Sequence, residues 1–205
     1  MPVTGAELQL RSGDGQDLLQ GGLRLIQGNQ VTLQPFTRDM WRTYYHWRRD
    51  HEVMYWAAGE AHQSSLVPED AFMSRFDQAI LTDRHQESGI LGIFTESGVF
   101  IGEVSYRDMD VVAGTAVLGI MIGDKSYWGQ GYGTDAVRTL CRFLFDRFRL
   151  RRIQLDTWAG NERAIKSYTK VGFQIEGRLR DAALVNGQPM DQIVMGLLRS
   201  EFVAS

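Results

Sequence analysis

Three glycines at alternate positions, Gly129, Gly131 and Gly133, stand directly before a segment with helical periodicity. Glycine lets the backbone approach a ligand closely, and the free N–H groups at the start of a helix point at an anion. The segment Trp128 to Thr134, which we call the glycine loop, is therefore predicted to bind a phosphate group. Such loops occur in several kinds of nucleotide site, so the residues around the loop must decide which phosphate it holds.

A dinucleotide site of the Rossmann type is the first alternative. Gly131, Gly133 and Ala136 match the pattern G-x-G-x-x-A, and Asp156 follows about twenty residues later. In that fold the first glycine follows a strand almost at once, whereas here residues 123–130 intervene and the neighbouring segments read as antiparallel meanders. The sequence also lacks Gly-Lys followed by Ser or Thr, which excludes a Walker nucleoside-triphosphate loop.

Apolar periodicity and turn residues predict the elements that position this loop. Residues 1–22 are polar and glycine-rich and are predicted to be a flexible tail, followed by one domain over residues 23–205. The predicted strands are 23–26, 31–36, 90–95, 99–106, 115–122, 153–157, 173–180 and 190–198, with a tight turn at Asn186-Gly187. The predicted helices are 37–49, capped by Thr37; 68–81, started by Pro68; one after the glycine loop with the apolar stripe Ala136 to Phe148; and one from Asn161 to Gly172.

Aromatic residues are concentrated between residues 40 and 56. Trp41, Tyr44 and Trp47 recur at helical spacing and are predicted to lie in the core. Tyr55 and Trp56 are predicted to lie in a loop, either packed on the core or forming a wall of a substrate pocket. The mixture of strands and helices places the chain in the α/β (α+β) class.

The composition excludes several classes of protein. With 22 basic and 25 acidic residues the net charge is −3, which gives no general attraction to nucleic acid or to an anionic membrane. No apolar run is long enough to cross a membrane. Cys141 is the single cysteine and falls in an apolar helical stripe, so we predict a core residue, no disulfide and no metal site. These features predict a cytoplasmic protein.

Two further motifs identify the phosphate ligand through a resemblance. Trp128 to Ala136 (WGQGYGTDA) together with Asn161 to Phe173 (NERAIKSYTKVGF) resembles the paired signatures of the GNAT (Gcn5-related) N-acetyltransferases. The segments Val31 to Phe36 and Glu176 to Asp181 are similar to the RimJ/RimL-like branch, which includes ribosomal-protein-alanine acetyltransferases. The resemblance covers roughly residues 22–202. It implies a mixed, mostly antiparallel sheet of about seven strands, splayed between strands 115–122 and 153–157 and flanked by about four helices.

The resemblance also implies a function and a set of site residues. The function is transfer of the acetyl group of acetyl-CoA (coenzyme A) to a primary amine by direct attack in a ternary complex, with Tyr168 as the acid that protonates the departing thiolate. A backbone N–H of Met121 or its neighbour would polarise the acetyl carbonyl. The implied cofactor-binding residues are Met121, Ile122, Trp128, Gly129, Gln130, Gly131, Tyr132, Gly133, Thr134, Asn161, Lys166 and Tyr168. Lys125, Arg163 and Lys170 are further cations that could meet phosphates or form a solvated helix face.

The general base is where this sequence departs from the family pattern. Many members carry a glutamate on the strand that here holds Val117. Glu103 on the adjacent strand, or Asp156, could replace it through a water molecule, or the enzyme could lack a dedicated base. The missing carboxylate also keeps open a non-catalytic acyl-CoA-binding or regulatory module.

The acceptor amine is not encoded in any motif. A protein N-terminus, an aminoglycoside, a polyamine and an amino-acid-like amine all remain open, as does a homodimer. Asp50, Glu52 and Glu60 flank the aromatic segment and are candidate partners for a cationic acceptor.

Overall fold

The computed structural model describes residues 18–20, 23–59, 67–76 and 87–203. The strands are β1 Leu18–Gln20, β2 Leu23–Gln27, β3 Val31–Pro35, β4 Gly89–Thr95, β5 Phe100–Asp110, β6 Thr115–Ile122, β7 Arg152–Trp158, β8 Gln174–Val185 and β9 Gln188–Leu198. The helices are α1 Arg38–Trp47, α2 His51–Ala58, α3 Glu69–Ser74, α4 Tyr132–Arg147 and α5 Glu162–Val171.

The strands form a mixed sheet in the order β1-β2-β3-β4-β5-β6-β7-β9-β8. All neighbours are antiparallel except β6 and β7, which are parallel. The predicted fold class is confirmed. The described residues form nine strands, where about seven were expected, and five helices, where about four were expected. Strand β1 lies in the segment that was assigned to the tail, and residues 1–17 and 21–22 of that segment lie outside the described residues.

The centre of the sheet is splayed as expected. Strands β6 and β7 pair only over Thr115–Val117 and Arg152–Gln154. Beyond these three pairs, β6 keeps β5 as its partner and β7 keeps β9. The carboxyl ends of two parallel strands therefore diverge and leave an opening in the sheet.

Two apolar clusters stabilise the fold on opposite faces of the sheet. Leu118 of β6 packs in the larger cluster with α4 and α5, whereas Met121 of the same strand packs with α1, α2 and α3. Positions 118 and 121 point to opposite faces because side chains alternate along a strand. Cys141 is completely buried in the larger cluster, and burial raises the pKa of its thiol, which confirms it as a core residue.

Helix α1 matches its prediction closely. Thr37 occupies the N-cap, and its hydroxyl accepts a hydrogen bond from the Met40 N–H at 3.3 Å. Trp41 and Tyr44 are buried as predicted, and Trp47 is half-buried. The aromatic stripe of this helix is therefore core.

The prediction that Tyr55 and Trp56 lie in a loop is wrong, because both belong to α2. Asp50 caps this helix, with its Oδ1 accepting from the N–H groups of Glu52 at 3.0 Å and Val53 at 3.2 Å. An aspartate before a helical segment is a recognised start signal. The short length of α2 left little periodicity to detect.

The remaining predicted elements differ only at their ends. Helix α3 begins at Glu69, directly after Pro68, and the predicted end of this helix at residue 81 lies outside the described residues. Asn186 and Gly187, with φ of 49° and 71°, form the tight turn between β8 and β9. No helix among the described residues is long and apolar enough to cross a membrane.

Candidate active site

A cleft of about 410 Å³ lies at the opening between β6 and β7. Its walls come from α2, the end of β6, the glycine loop, β7 and α5. Ten of the predicted site residues line it: Met121, Ile122, Trp128, Gly129, Gly131, Gly133, Thr134, Asn161, Lys166 and Tyr168. The structure therefore brings together two motifs that are about thirty residues apart in the chain.

The glycine loop has the geometry of an anion cradle. Gly129 and Gly131 have φ of 73° and 94°, in the left-handed region that favours glycine. Gly131 is the N-cap of α4, and no side chain caps this helix. The N–H groups of its first turn are therefore available to a ligand, and the helix dipole favours a negative charge there.

Side chains on both sides fix the first turn of α4 in place. The Oδ2 of Asp135 accepts hydrogen bonds from the N–H groups of Gln30 at 2.7 Å and Val31 at 3.1 Å. The hydroxyls of Thr134 and Ser167 share a hydrogen bond of 2.7 Å. The cradle is thereby tied to β3 and to α5. The sequence analysis missed Asp135 and Ser167 because their partners are distant in the chain.

Two predicted residues of the loop direct their side chains away from the cleft. The amide of Gln130 donates to the Ser126 carbonyl at 2.5 Å, and the ring of Tyr132 packs on Tyr127 with centroids 5.4 Å apart. Neither Gln130 nor Tyr132 lines the cleft, although the glycines on either side of them do. Any contact that Gln130 or Tyr132 makes with a ligand in this cleft would come from the backbone.

The pairing of β5 with β6 decides which backbone groups face the cleft. The N–H of Gly123 donates to the Ile101 carbonyl at 2.9 Å. This bond lies just beyond the Gly102–Ile122 pair, past the end of β6. Bonded and non-bonded pairs alternate along an antiparallel ladder, so Gly102–Ile122 is a non-bonded pair and Glu103–Met121 is a bonded one. The N–H of Met121 is therefore directed to β5, and those of Ile120 and Ile122 point across the opening. This geometry favours the neighbour over Met121 as the carbonyl-polarising donor.

Asn161 begins α5 as predicted and also joins two other elements. Its Oδ1 accepts from the Ala164 N–H at 3.4 Å, which is the expected cap. Its Nδ2 donates to the Trp56 carbonyl at 2.9 Å and to the Thr157 hydroxyl at 3.2 Å. The side chain thus anchors the start of α5 to α2 and β7.

Tyr168 lines the cleft and is 9% exposed. Burial raises the pKa of its hydroxyl to about 12, the Asp156 carboxylate raises it as well, and the Arg163 guanidinium opposes both. The hydroxyl therefore carries a proton at neutral pH. A protonated hydroxyl in the cleft is what a general acid requires.

Glu103 does not line the cleft. It lies one strand away, paired in register with Met121, and is 7% exposed. Burial raises the pKa of its carboxyl to about 7, while a hydrogen bond from Ser105 and the charge of Arg48 oppose the shift. Its Oε2 has no hydrogen-bond partner among the described residues. The group is poised to exchange a proton near neutral pH.

Asp156 is the one carboxylate that lines the cleft directly, among the residues that the structure describes. It lies 3.6 Å from Arg107 and accepts a hydrogen bond from the Gln192 amide at 2.6 Å. Val117 stands in the parallel pairing of β6 with β7, opposite Gln154. The two candidate carboxylates therefore differ in position: that of Asp156 lines the cleft, and that of Glu103 lies on β5, opposite Met121.

An aromatic and cationic stack lies in the wall of the cleft, where Trp56, Trp128 and Arg163 are lining residues. The Arg163 guanidinium lies 4.5 Å from the Trp56 ring centroid and 4.2 Å from that of Trp128. Trp56 also stacks on Trp158, with centroids 5.8 Å apart and an angle of 22°. We call Trp158, Trp56, Arg163 and Trp128 the tryptophan stack. The sequence analysis considered Arg163 only as a phosphate contact or a solvated cation.

The acidic residues expected to bind a cationic acceptor have partners in the chain. Lys125 bonds Asp50 at 2.9 Å and Glu52 at 3.1 Å. Glu60 lies outside the described residues. Within the described ranges, no group of three or more His, Cys, Asp or Glu side chains is arranged to hold a metal ion.

Comparison with known proteins identifies the class. Residues 30–174 match the acetyltransferase (GNAT) domain, and the chain belongs to this family. It is 30% identical over 131 residues to YdaF of Bacillus subtilis, a ribosomal N-acetyltransferase by name, covering 62% of this chain and 71% of that protein. It is 31% identical over 110 residues to the N-acetyltransferase p20 of Bacillus licheniformis, covering 54% of this chain. That match spans 61% of p20, less than two thirds of its length.

A solved structure shares the fold. The spermidine N-acetyltransferase of Vibrio cholerae, crystallised with CoA and spermine, superposes with a TM-score of 0.74 at 20% identity. The match covers 84% of this chain and 97% of the other. At this identity the likeness establishes the GNAT fold.

Proposed function

We propose that this chain is an acetyl-CoA-dependent N-acetyltransferase that acetylates a primary amine by direct attack in a ternary complex. The observation that carries the proposal is the cleft at the β6–β7 opening. There the uncapped start of α4, the unpaired edge of β6 and the protonated Tyr168 hydroxyl meet in one space. The family and the CoA complex of the structural neighbour support the same reading.

The residues of the cleft fit coenzyme A. The N–H groups at the start of α4 would hold the diphosphate, where the helix dipole contributes about 0.3–1 kcal/mol in addition to the hydrogen bonds. Lys166 and Lys170 line the cleft on α5 and add positive charge for the phosphates. The edge of β6 beyond Val117 has no strand partner on the β7 side and offers backbone groups to the amide-containing arm. Bound acetyl-CoA would supply the acetyl thioester.

Protein groups account for the other requirements of the transfer. The N–H of Ile122 or Ile120 would polarise the acetyl carbonyl, because these groups point across the opening. Tyr168 would hold its proton at the phenolic oxygen and give it to the sulfur as the thioester bond breaks. Loss of the amine proton falls to Glu103 or Asp156 through a water molecule. Glu103 is favoured by its raised pKa and Asp156 by its position in the cleft.

Two variants distinguish the candidate bases. Glu103→Gln and Asp156→Asn each remove one carboxylate and keep its shape. The base sets the acidic limb of the pH profile of kcat/KM, because the rate rises as the base loses its proton. The variant of the true base should lower kcat/KM and lose that limb, and the other variant should keep it. If both keep it, the enzyme uses no dedicated base.

Thiol release from acetyl-CoA tests the activity itself. The acceptor panel is a set of peptides with free N-termini, an aminoglycoside, spermidine and free amino acids. We expect turnover of at least one acceptor. Tight binding of acetyl-CoA with no turnover of any acceptor would instead support the non-catalytic acyl-CoA-binding module, which the valine at position 117 favours.

A further inference from the structure

Glu103 is a buried carboxyl group with an incomplete set of partners. Its Oε2 is buried and has no hydrogen-bond partner within the described ranges, and the Ser105 hydroxyl donates to its other oxygen. Among the described residues, the charged and titratable groups that act on it are Tyr44 of α1 and Arg48, the residue that ends this helix. Its neighbours on β4 and β6 carry no charge. Ser105 is therefore the polar contact through which a proton can reach this carboxyl group.

The strand register places Ser105 and Glu103 on the same face of the sheet as a residue of the cleft wall. Glu103 is opposite Met121, and Ser105 is opposite Gly119, two positions earlier in β6. Residues two apart in a strand, and residues directly opposite each other in an antiparallel pair, share a face. Met121 packs with α1, α2 and α3 and lines the cleft. Ser105 and Gly119 thus lie next to the cleft on the face that these helices cover.

The Ser105 hydroxyl extends from β5 over β6, because Gly119 has no side chain. A β-carbon at position 119 would lie 2.9 Å from the Ser105 Oγ. Apart from its chain neighbours, it would meet no other described atom within 4 Å. Beyond Val117, the edge of β6 that faces β7 is unpaired and borders the opening. The hydroxyl is therefore directed from the buried carboxyl toward the strand that borders the cleft.

Exposure increases along the same direction. Glu103 is 7% exposed, whereas Ser105 and Gly119 are half-buried. A serine hydroxyl carries one proton and two lone pairs, so it can donate to a carboxylate and accept from a second group at the same time. Ser105 is thus able to connect the buried carboxyl with the accessible part of the sheet face.

We propose that Ser105 is the relay group through which Glu103 takes up the proton of the acceptor amine, and that Gly119 keeps this path open. The inference rests on the proposed acetyltransferase function and adds the route of the proton. One water molecule takes a proton from the acceptor ammonium and gives one to the Ser105 Oγ, while the original Ser105 proton passes to Glu103. The acceptor nitrogen keeps its electron pair and attacks the acetyl carbonyl. Glu103 ends as a neutral acid, and the water molecule and Ser105 are unchanged.

The test compares pH profiles of kcat/KM for Ser105→Ala and Ser105→Thr with that of the intact enzyme, using an acceptor that the thiol-release panel identifies. Ser105→Ala should lower the maximum of kcat/KM by about 10- to 10²-fold, because the path to the base is interrupted. Its acidic limb should move to higher pH by about one unit, since the lost hydrogen bond favours the ionised form of Glu103. Ser105→Thr keeps the hydroxyl and should keep most of the rate.

Gly119→Ala tests the position of the hydroxyl. The added methyl group takes the space beside the Ser105 Oγ, so this variant should lose rate although the serine is present. In the double variant with Ser105→Ala, the loss should be no larger than in Ser105→Ala alone, because both substitutions act on the same group. Ser97→Ala removes an exposed hydroxyl from the turn between β4 and β5 and should keep the native profile. The KM for acetyl-CoA should not change in any of these variants.

The outcomes separate this inference from the proposed function. A native profile in Ser105→Ala or Gly119→Ala, or a limb that moves in Ser105→Ala while the maximum is kept, would overturn the relay and leave the acetyltransferase in place. An equal loss in Ser105→Thr would assign the effect to packing and likewise overturn it. So would an acidic limb that is lost in Asp156→Asn and kept in Glu103→Gln. Absence of turnover with every acceptor would overturn the proposed function and this inference together.

Discussion

At the scale of single residues, burial gives two groups the protonation states that acyl transfer needs. Tyr168 remains protonated because its charged form would lie in a poorly solvated cleft wall, and its pKa rises to about 12. Glu103 experiences the same desolvation, and its pKa rises to about 7, so protonated and ionised forms coexist near neutral pH. The same physical effect therefore keeps a candidate acid protonated in one place and brings the pKa of a candidate base close to neutral pH in another.

Replacing Tyr168 with phenylalanine should lower kcat by about 10²–10⁴-fold, the usual contribution of a general acid. The ring and its contact with Phe173, at 6.2 Å between centroids, are kept, so acetyl-CoA affinity should not change. Tyr55→Phe removes a hydroxyl from an aromatic residue outside the cleft lining and serves as the control. Steady-state kinetics with calorimetric binding measures both quantities. Unchanged turnover in Tyr168→Phe would remove this hydroxyl from the mechanism.

Replacing Glu103 with glutamine should change how stability depends on pH. The pKa of about 7 in the folded protein lies above the ordinary glutamate value of 4.5, so ionisation of Glu103 opposes folding. The native protein should therefore lose stability relative to the variant as pH rises from about 4.5 to about 7, by up to about 3 kcal/mol. Urea unfolding of both proteins at pH 4.5 and pH 8 measures the difference. A difference in unfolding free energy that is the same at both pH values would contradict the assignment.

At the scale of elements, the start of α4 and the end of β6 form the site together. The left-handed Gly131 begins the helix without a capping side chain, and Asp135 ties its first turn to the N–H groups of Gln30 and Val31. The ladder between β5 and β6 turns the N–H groups of Ile120 and Ile122 toward the opening. Backbone groups rather than side chains thus provide the anion and carbonyl contacts of the proposed site.

Replacing Gly131 with alanine should weaken acetyl-CoA binding as well as the fold. An alanine held in the left-handed region costs about 1–2 kcal/mol of stability. Gly98→Ala is the matched control, because Gly98 has φ of 81° and open space around it in the turn between β4 and β5. Both variants should lose similar stability, but only Gly131→Ala should weaken acetyl-CoA binding, by about 10-fold or more. Equal affinity in the two variants would show that the ligand does not use this backbone.

At the scale of the whole molecule, the cleft is a consequence of the splayed sheet. The part from β2 to β6 and the part from β7 to β9 share only three residue pairs between strands. Helices α4 and α5 pack together across this junction and join the two parts. A ligand in the opening contacts both parts and should stabilise them together.

A homodimer remains a prediction that sedimentation can test.

Acetyl-CoA should therefore raise the melting temperature of the protein. At a concentration 100 times its dissociation constant, a ligand that binds only the folded state adds about 2.7 kcal/mol of stability. For a chain of this size that corresponds to about 5–10 °C. Differential scanning fluorimetry with acetyl-CoA, and with NAD as the control for the dinucleotide alternative, measures the shift. An equal shift with NAD, or none with acetyl-CoA, would contradict the cofactor assignment.

Much of the site was predictable from the sequence because its parts are locally encoded. Alternate glycines before an amphipathic segment predict a loop and a helix start. Asn161 and Gly172 mark the ends of α5, because an asparagine side chain caps the first N–H groups of a helix and glycine adopts the left-handed conformation that ends one. The positions of most strands along the chain followed from apolar alternation and turn residues. These signals act within a few residues, so a single sequence contains them.

The tertiary structure decided what depends on residues distant in the chain. The ladder register selects Ile120 and Ile122 as the cleft-facing donors, although Met121 is equally apolar and adjacent. The pKa of Glu103 depends on the elements that bury it, and Arg163 contacts the rings of Trp56 and Trp128 only when α2, the glycine loop and α5 are folded together. The sequence by itself predicted a phosphate-binding loop and, through its resemblance to a family, the acetyltransferase fold. Packing decided which groups face the cleft, because burial and contact arise only when distant segments meet.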